Sequence, residues 1–249
     1  MKIAERVKTL PPYVFAVVQQ RIGALRARGV DVIDLGMGSP DMAPPQFILD
    51  ALCQSAANPK NHGYAGYFGA PSLRKAIAGY YHRRFGVELD PETEVRPLIG
   101  SKEGLANMAL AFVDPGDLVL APDPGYPTYS MGAQMAGGTT WPMPIVEAND
   151  YLVDFDAIPP DVAAKATLMW LDYPNNPTGA AAPLEFLARA VEFARAYDIV
   201  ICYDNPYVDL TFDGYVAPSI LEVPGAKHVA VEFNSLSKTY NMAGWRVGM

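Results

Sequence analysis

Thr167-Leu168-Met169-Trp170-Leu171, then a helical stretch opening at Pro183, then Ile199-Val200-Ile201-Cys202-Tyr203: this succession of strand, helix and strand decides the fold. In the middle segment Leu184, Leu187, Val191 and Ala194 share one helical face, while Glu185, Arg189, Glu192 and Arg195 lie elsewhere, with Pro183 suited to the first turn. The flanking apolar runs read as strands of a sheet covered on both faces. The pattern extends outward in both directions. Leu118 to Ala121, Thr139 to Met143 and Val229 to Phe233 are further strands. Val95 to Ile99 is another, imperfect because of Pro97, and leads through Gly100-Ser101-Lys102-Glu103-Gly104 into a helix from Leu105 to Phe112. Asp114-Pro115-Gly116-Asp117 is a turn by its chemistry. Strand and helix in alternation predict an α/β fold with a mostly parallel sheet, helices on both faces and right-handed crossovers.

The N-terminal residues stand outside this alternation. Leu10-Pro11-Pro12-Tyr13-Val14-Phe15 is stiffened by its prolines, Val17 to Arg28 reads as a helix and Asp31 to Leu35 as a strand. Residues 1–35 are expected to form an arm and the start of a smaller domain, and residues 36–249 the large domain. Another helix is expected from Pro71 to Phe85.

Composition bounds the function. The chain has 249 residues, half of them hydrophobic, enough for a sizeable core. A net charge of -8, with no run of Lys and Arg, argues against a nucleic-acid partner and for a small-molecule one. Cys53 and Cys202 are far apart, and His62, His82 and His228 are scattered, so neither a disulfide scaffold nor a metal site is expected. No stretch approaches the roughly 18 apolar residues of a membrane span, and the first residues lack the apolar core of a signal peptide. A cytoplasmic protein is expected.

In a parallel sheet, ligands bind beyond the carboxyl ends of the strands. The polar clusters Gly100 to Gly104, Tyr173 to Gly179, Asp204 to Tyr207 and Ser235 to Lys238 each follow a strand, so they should converge on one crevice. The first lies where a strand passes into a helix, either a phosphate cradle or an ordinary turn containing glycine. It matches neither a P-loop nor a dinucleotide fingerprint. Asp204 ends an apolar run, so its carboxylate needs a partner: a protonated ring nitrogen, or the backbone of a following turn that it caps. Tyr173-Pro174-Asn175-Asn176-Pro177-Thr178-Gly179 is stiff enough to aim an amide, or is a plain connecting turn. Tyr207 and Tyr126 are a hydroxyl donor and a stacking platform, or core residues. Ser235-Leu236-Ser237-Lys238 matches the Ser-x-x-Lys of penicillin-recognising enzymes, but Ser-Asp-Asn and Lys-Thr-Gly are absent. A lysine among hydroxyls, with Arg246 further on, instead suits an aldehyde cofactor bound covalently with its phosphate clamped.

Taken in order, these motifs resemble the class I/II aminotransferases, pyridoxal-phosphate enzymes of fold type I. The likeness runs from Leu35-Gly36-Met37-Gly38-Ser39-Pro40-Asp41 through Asn175-Asn176-Pro177-Thr178-Gly179 and Asp204-Asn205-Pro206-Tyr207 to Ser235-Leu236-Ser237-Lys238 and Arg246. It implies a three-layer α/β/α domain whose last strand is antiparallel, with pyridoxal 5'-phosphate as cofactor. Lys238 would hold the cofactor covalently and shuttle the substrate proton, with Asp204 at the ring nitrogen, Asn176 and Tyr207 at the phenolic oxygen and Tyr126 stacked on the ring. Ser101, Lys102, Ser235, Ser237 and Arg246 would hold the phosphate, joined by Tyr64 from across the interface of a homodimer. Tyr13, Gly38 and Asn176 would meet the substrates, an amino acid and a 2-oxo acid.

The segments around Tyr13, Lys102 and Lys238 look most like LL-diaminopimelate aminotransferases of lysine biosynthesis, and nearly as much like alanine (glutamate–pyruvate) aminotransferases. A carbon–sulfur lyase or decarboxylase on the same fold would share the cofactor residues, and a relic without catalysis would bind no cofactor. Members of this family continue into a C-terminal small domain carrying the arginine for the substrate α-carboxylate, so the chain is expected to be a fragment.

Overall fold

The computed structural model describes residues 2–36 and 38–249. Met37, in the glycine-rich motif quoted above, lies outside the described residues. The N-terminal part contributes helices α1 (Glu5–Lys8), α2 (Val14–Ala27), α3 (Gln46–Ala56) and α4 (Pro71–Phe85). Then follow α5 (Ser101–Phe112), β1 (Leu118–Asp123), α6 (Pro127–Ala136), β2 (Thr139–Pro144), α7 (Pro160–Ala163), β3 (Ala166–Asp172), α8 (Leu184–Tyr197), β4 (Val200–Asp204), β5 (Ala230–Phe233) and α9 (Leu236–Thr239).

The strands pair in the order β2-β1-β3-β4-β5, all parallel. β3 and β4 are the buried centre, and successive side chains feed opposite layers as the strand period requires. Met169, Leu171, Ile201 and Tyr203 pack with Phe186, Leu187, Ala190, Val191 and Ala194 of α8. Leu168, Trp170 and Cys202 pack on the other face with Leu105 and Ala109 of α5 and Tyr129 and Ala133 of α6. This gives the expected three layers. β2 is an edge strand whose side chains are mostly exposed, and it accommodates Pro142 and Pro144. At the opposite side Gly248 makes antiparallel bridges to both Leu98 and Ser235, so the end of the chain runs against the direction of the sheet.

Several boundaries differ from the sequence expectation. Val95 to Ile99 is not a ladder strand: only Leu98 forms a bridge, because Pro97 has no N–H to donate and Val95 turns into a small cluster with Ile77, Tyr81 and Val87. Asp31 to Leu35 is irregular, with Ile33 81% and Leu35 91% exposed, since among the described residues no strand lies beside it. The helix expected from Leu105 starts at Ser101, directly after Gly100 at φ 74°, so its first turn reaches the polar edge of the sheet. That expected from Val17 starts at Val14.

Leu187 is fully buried where α8 meets the sheet. Leu187→Ala should lower unfolding stability by roughly 2–5 kcal/mol, read from denaturant titration, with the lost methyls leaving a cavity the rigid strands cannot close.

Candidate functional site

The carboxyl ends of β1, β3, β4 and β5 open on a cleft of about 820 Å³. Tyr126 comes from the turn after β1, Asn176 from that after β3, Asp204 and Tyr207 from the end of β4, and Ser235, Ser237 and Lys238 from that of β5. Ser101 and Lys102 enter from the first turn of α5, Arg246 from near the chain end, and Tyr13 and Gly38 from the N-terminal part. Thus the residues singled out from sequence line one cleft, with one exception. Tyr64 is wholly exposed and does not line it.

The floor is acidic. Asp204 is 5% exposed; its Oδ2 accepts a hydrogen bond from the Tyr129 hydroxyl at 2.8 Å, and its Oδ1 is buried without a partner. Among the described residues neither oxygen accepts a backbone N–H of the turn that follows, so the turn-capping alternative falls away. Burial pushes its carboxyl up to about 7, against the pull of the Tyr129 hydroxyl. Tyr129 is itself fixed by stacking on Trp170, rings 4.7 Å apart and 9° from parallel. Asp172, at the end of β3, also lines the floor. Sequence reasoning missed both Tyr129 and Asp172. Asp172 had the same signal as Asp204, a carboxylate closing an apolar strand, and Tyr129 lies one helical turn beyond Tyr126.

One end of the cleft is positive. The Arg246 guanidinium sits against Gly100, where an added Cβ would collide with it, at the N-terminus of α5. Its Nη1 donates to the Ala243 carbonyl at 2.9 Å, and among the described residues no carboxylate forms an ion pair with it. The Ser101 and Lys102 N–H groups belong to a first turn that has no intrahelical acceptors for them. A guanidinium and a helix N-terminus at one point call for an anion. Ser235 lies alongside, its hydroxyl accepting from the Ser237 N–H at 3.2 Å.

Between floor and positive end lie the remaining groups. Lys238 Nζ stands 5.6 Å from the centre of the Tyr207 ring. Burial and the nearby Asp172 and Asp204 push the Tyr207 phenol up to about 12, so it is a neutral donor. The Asn176 loop is braced by Asn175, whose Oδ1 accepts from the Thr178 N–H at 3.1 Å and hydroxyl at 2.7 Å. Lys102 Nζ lies over the rings of Tyr13 and Tyr126, at 4.8 and 5.5 Å from their centres.

Residues 30–249 match the family model described as aminotransferase class I and II. The chain belongs to the class I and II aminotransferases. It is 53% identical, over all of its length, to an LL-diaminopimelate aminotransferase of Moorella thermoacetica, and as similar to one from Aquifex aeolicus. In each case it covers 64% of the relative, so this aminotransferase chain spans less than two thirds of the curated relatives it matches. Among solved structures, substrate-bound BacF of Bacillus subtilis superposes with a TM-score of 0.92 at 44% identity, over 100% of this chain and 63% of BacF. Thermus thermophilus aspartate aminotransferase with maleate gives 0.91 at 29%, over 100% of this chain and 64% of that one.

The family is pyridoxal-phosphate-dependent. The site fits that cofactor on two counts: the orphaned Asp204 Oδ1 can accept a pyridinium N–H, and the Arg246 end can take a phosphate.

Gly100→Ala should weaken pyridoxal phosphate binding by about tenfold or more in a fluorescence titration, because a side chain at φ 74° is strained and displaces Arg246. In the cofactor-free protein Asp204 has a raised carboxyl, so the folded state binds the extra proton and stability is lost as pH rises from about 4 to about 7. Asp204→Asn removes that loss, and its melting temperature relative to the parent should climb across this window; a falling difference contradicts the assignment.

Proposed function

We propose that this chain carries the pyridoxal phosphate site of an aminotransferase that passes an amino group from LL-diaminopimelate to 2-oxoglutarate in lysine biosynthesis. The observation that carries this reading is a lysine, a buried carboxylate with a free oxygen and an arginine that has no ion-pair partner among the described residues, all in one cleft. The names of its most similar relatives support the donor.

Bound in this cleft, the cofactor supplies an aldehyde that a lysine can hold and a protonated ring that draws electrons from the substrate α-carbon. Lys238 Nζ would be the group that holds it, and the same amine, when free, would be the base that takes the proton from the substrate α-carbon. Asp204 Oδ1 keeps the ring nitrogen protonated. Its aim is set by Tyr129, and burial makes its charge costly until the ring cation arrives. Tyr207 and Asn176 would serve the phenolic oxygen as hydrogen-bond donors, and Tyr126 would supply a stacking face for the ring. Ser101, Lys102, Ser235, Ser237 and Arg246 grip the phosphate, giving the reacting atoms a fixed reference. Tyr13, Gly38 and Asn176 meet the substrate.

Tyr64, exposed and outside the lining of its own cleft, belongs in this reading to the phosphate site of a partner in a homodimer. Residues 1–35 act as an arm and part of a small domain, and residues 36–249 as the cofactor domain. Among the described residues no helix is long and apolar enough to cross a membrane, which is compatible with a cytoplasmic enzyme.

Incubation with pyridoxal phosphate should give the absorbance of lysine-bound cofactor, and Lys238→Ala should abolish it. Transamination should fall with it by about a thousandfold or more, since the amine is both anchor and proton carrier. Activity retained in the purified variant would sink the assignment. Steady-state rates with LL-diaminopimelate and with alanine, each with 2-oxoglutarate as acceptor, decide the donor; a higher kcat/KM for alanine overturns the first choice. Turnover without a 2-oxo acid acceptor would instead indicate a lyase or decarboxylase.

A further inference from the structure

The floor of the cleft holds one carboxylate more than the reaction uses. Asp172 and Asp204 are direct partners in the parallel register of β3 and β4, so their side chains leave the sheet on the same face. Asp172 is 2% exposed and Asp204 5%. Each has one oxygen engaged. Asp172 Oδ2 accepts the backbone N–H of Asn176 at 3.2 Å, and Asp204 Oδ2 the hydroxyl of Tyr129. Each has its Oδ1 buried without a partner. Among the described residues neither forms an ion pair, so nothing in the protein pays for two charges here.

Resting on the pyridoxal phosphate reading, one ring N–H neutralises one carboxylate, and Asp204 is the one aimed by Tyr129. We propose that Asp172 remains a neutral carboxylic acid beneath the bound ring, its proton on Oδ1, and acts as a positioning residue that fixes Asn176 through Oδ2. Withholding a second negative charge leaves the ring cation a single partner, Asp204, and its acceptor oxygen steadies the loop whose amide meets the phenolic oxygen.

The groups facing the pair do not supply the missing charge. Tyr126 and Tyr129 of the α6 segment, Tyr207 after β4 and Tyr173 after β3 carry phenols, and Cys202 of β4 a thiol; burial raises Tyr129, Tyr173, Tyr207 and Cys202, so these stay neutral. The cations of the cleft are Lys102, Lys238 and Arg246, and they are assigned to its upper part and its phosphate end. Burial, reinforced by Asp204, holds the Asp172 carboxyl well above the usual carboxylate range.

The test is infrared spectroscopy of the full chain at pH 7 with pyridoxal phosphate bound, side-chain carboxyls of aspartate labelled with ¹³C. A label-sensitive carbonyl band of a protonated carboxylic acid, absent from Asp172→Asn, is expected; ionised aspartate alone overturns the proposal. Where that variant does not fold, absence of the band from the labelled parent protein still overturns the proposal. Affinity gives a second readout. Asp172→Asn keeps a neutral group with an acceptor oxygen and should leave the pyridoxal phosphate Kd within about twofold at pH 7, while Asp172→Ala, lacking the acceptor, should raise it about tenfold. A tenfold loss in Asp172→Asn would mean that a charge had been removed, and would also overturn it. Should the parent protein bind no cofactor, the function reading fails, and the same infrared measurement on the cofactor-free Asp204→Asn chain, which lacks the other buried aspartate of the floor, still reports whether Asp172 holds a proton.

Discussion

Parallel pairing of β3 with β4 places Asp172 opposite Asp204, and the rest of the site is arranged around the cost of that pairing. Two carboxylates at the end of the most buried part of a sheet are tolerated only with donors, protons or a cation brought to them. Tyr129 supplies one donor and the Asn176 backbone another. The remaining demand points into the cleft, and a ring with one acidic N–H matches it. Binding energy for the cofactor is therefore stored in the unliganded fold as unsatisfied polar atoms. The stacked pair Tyr129 and Trp170 transmits the rigidity of the core to the hydroxyl that aims Asp204.

The opposite end of the cleft works by the complementary principle. Arg246 is brought to the N-terminus of α5 by the last residues of the chain, which run antiparallel between Leu98 and Ser235. Gly248 there lies so close to the start of α5 that a side chain would strike the backbone of Gly100 and Ser101. Two glycines thus let a cation approach a helix end that it would otherwise avoid. Negative floor and positive end define an axis across the cleft, and a ligand with a cationic ring and an anionic tail can lie along it in one direction only.

Much of this was legible in the chain. The apolar runs ending at Leu171 and Tyr203, with the amphipathic helix between them, specify a buried parallel pair because nothing else accommodates two unbroken strands and one such helix. The clusters holding Lys238, Asp204 and Asn176 stood out by their positions after strands, and Tyr126 by the residues flanking it. Less legible were features set by neighbours. Asp31 to Leu35 has a strand-like composition but, among the described residues, no partner beside it, and Val95 to Ile99 loses its ladder to one proline. Asp172 escaped notice although it mirrors Asp204, because only the register of β3 on β4 makes the two adjacent. Tyr129 drew no notice either, because only its packing on Trp170 turns its hydroxyl toward the floor.

The prolines of β2 bear on how the molecule behaves in a crowded solution. Thr139 and Ile145 donate their N–H groups to the Asp117 and Asp123 carbonyls, so the intervening even-numbered positions aim their backbone nitrogens away from the sheet. Those positions include Pro142 and Pro144, which have no hydrogen to offer. The outer margin of the sheet is thereby stripped of two donors that a stray strand would need, which disfavours edge-to-edge growth from this side at the level of the backbone.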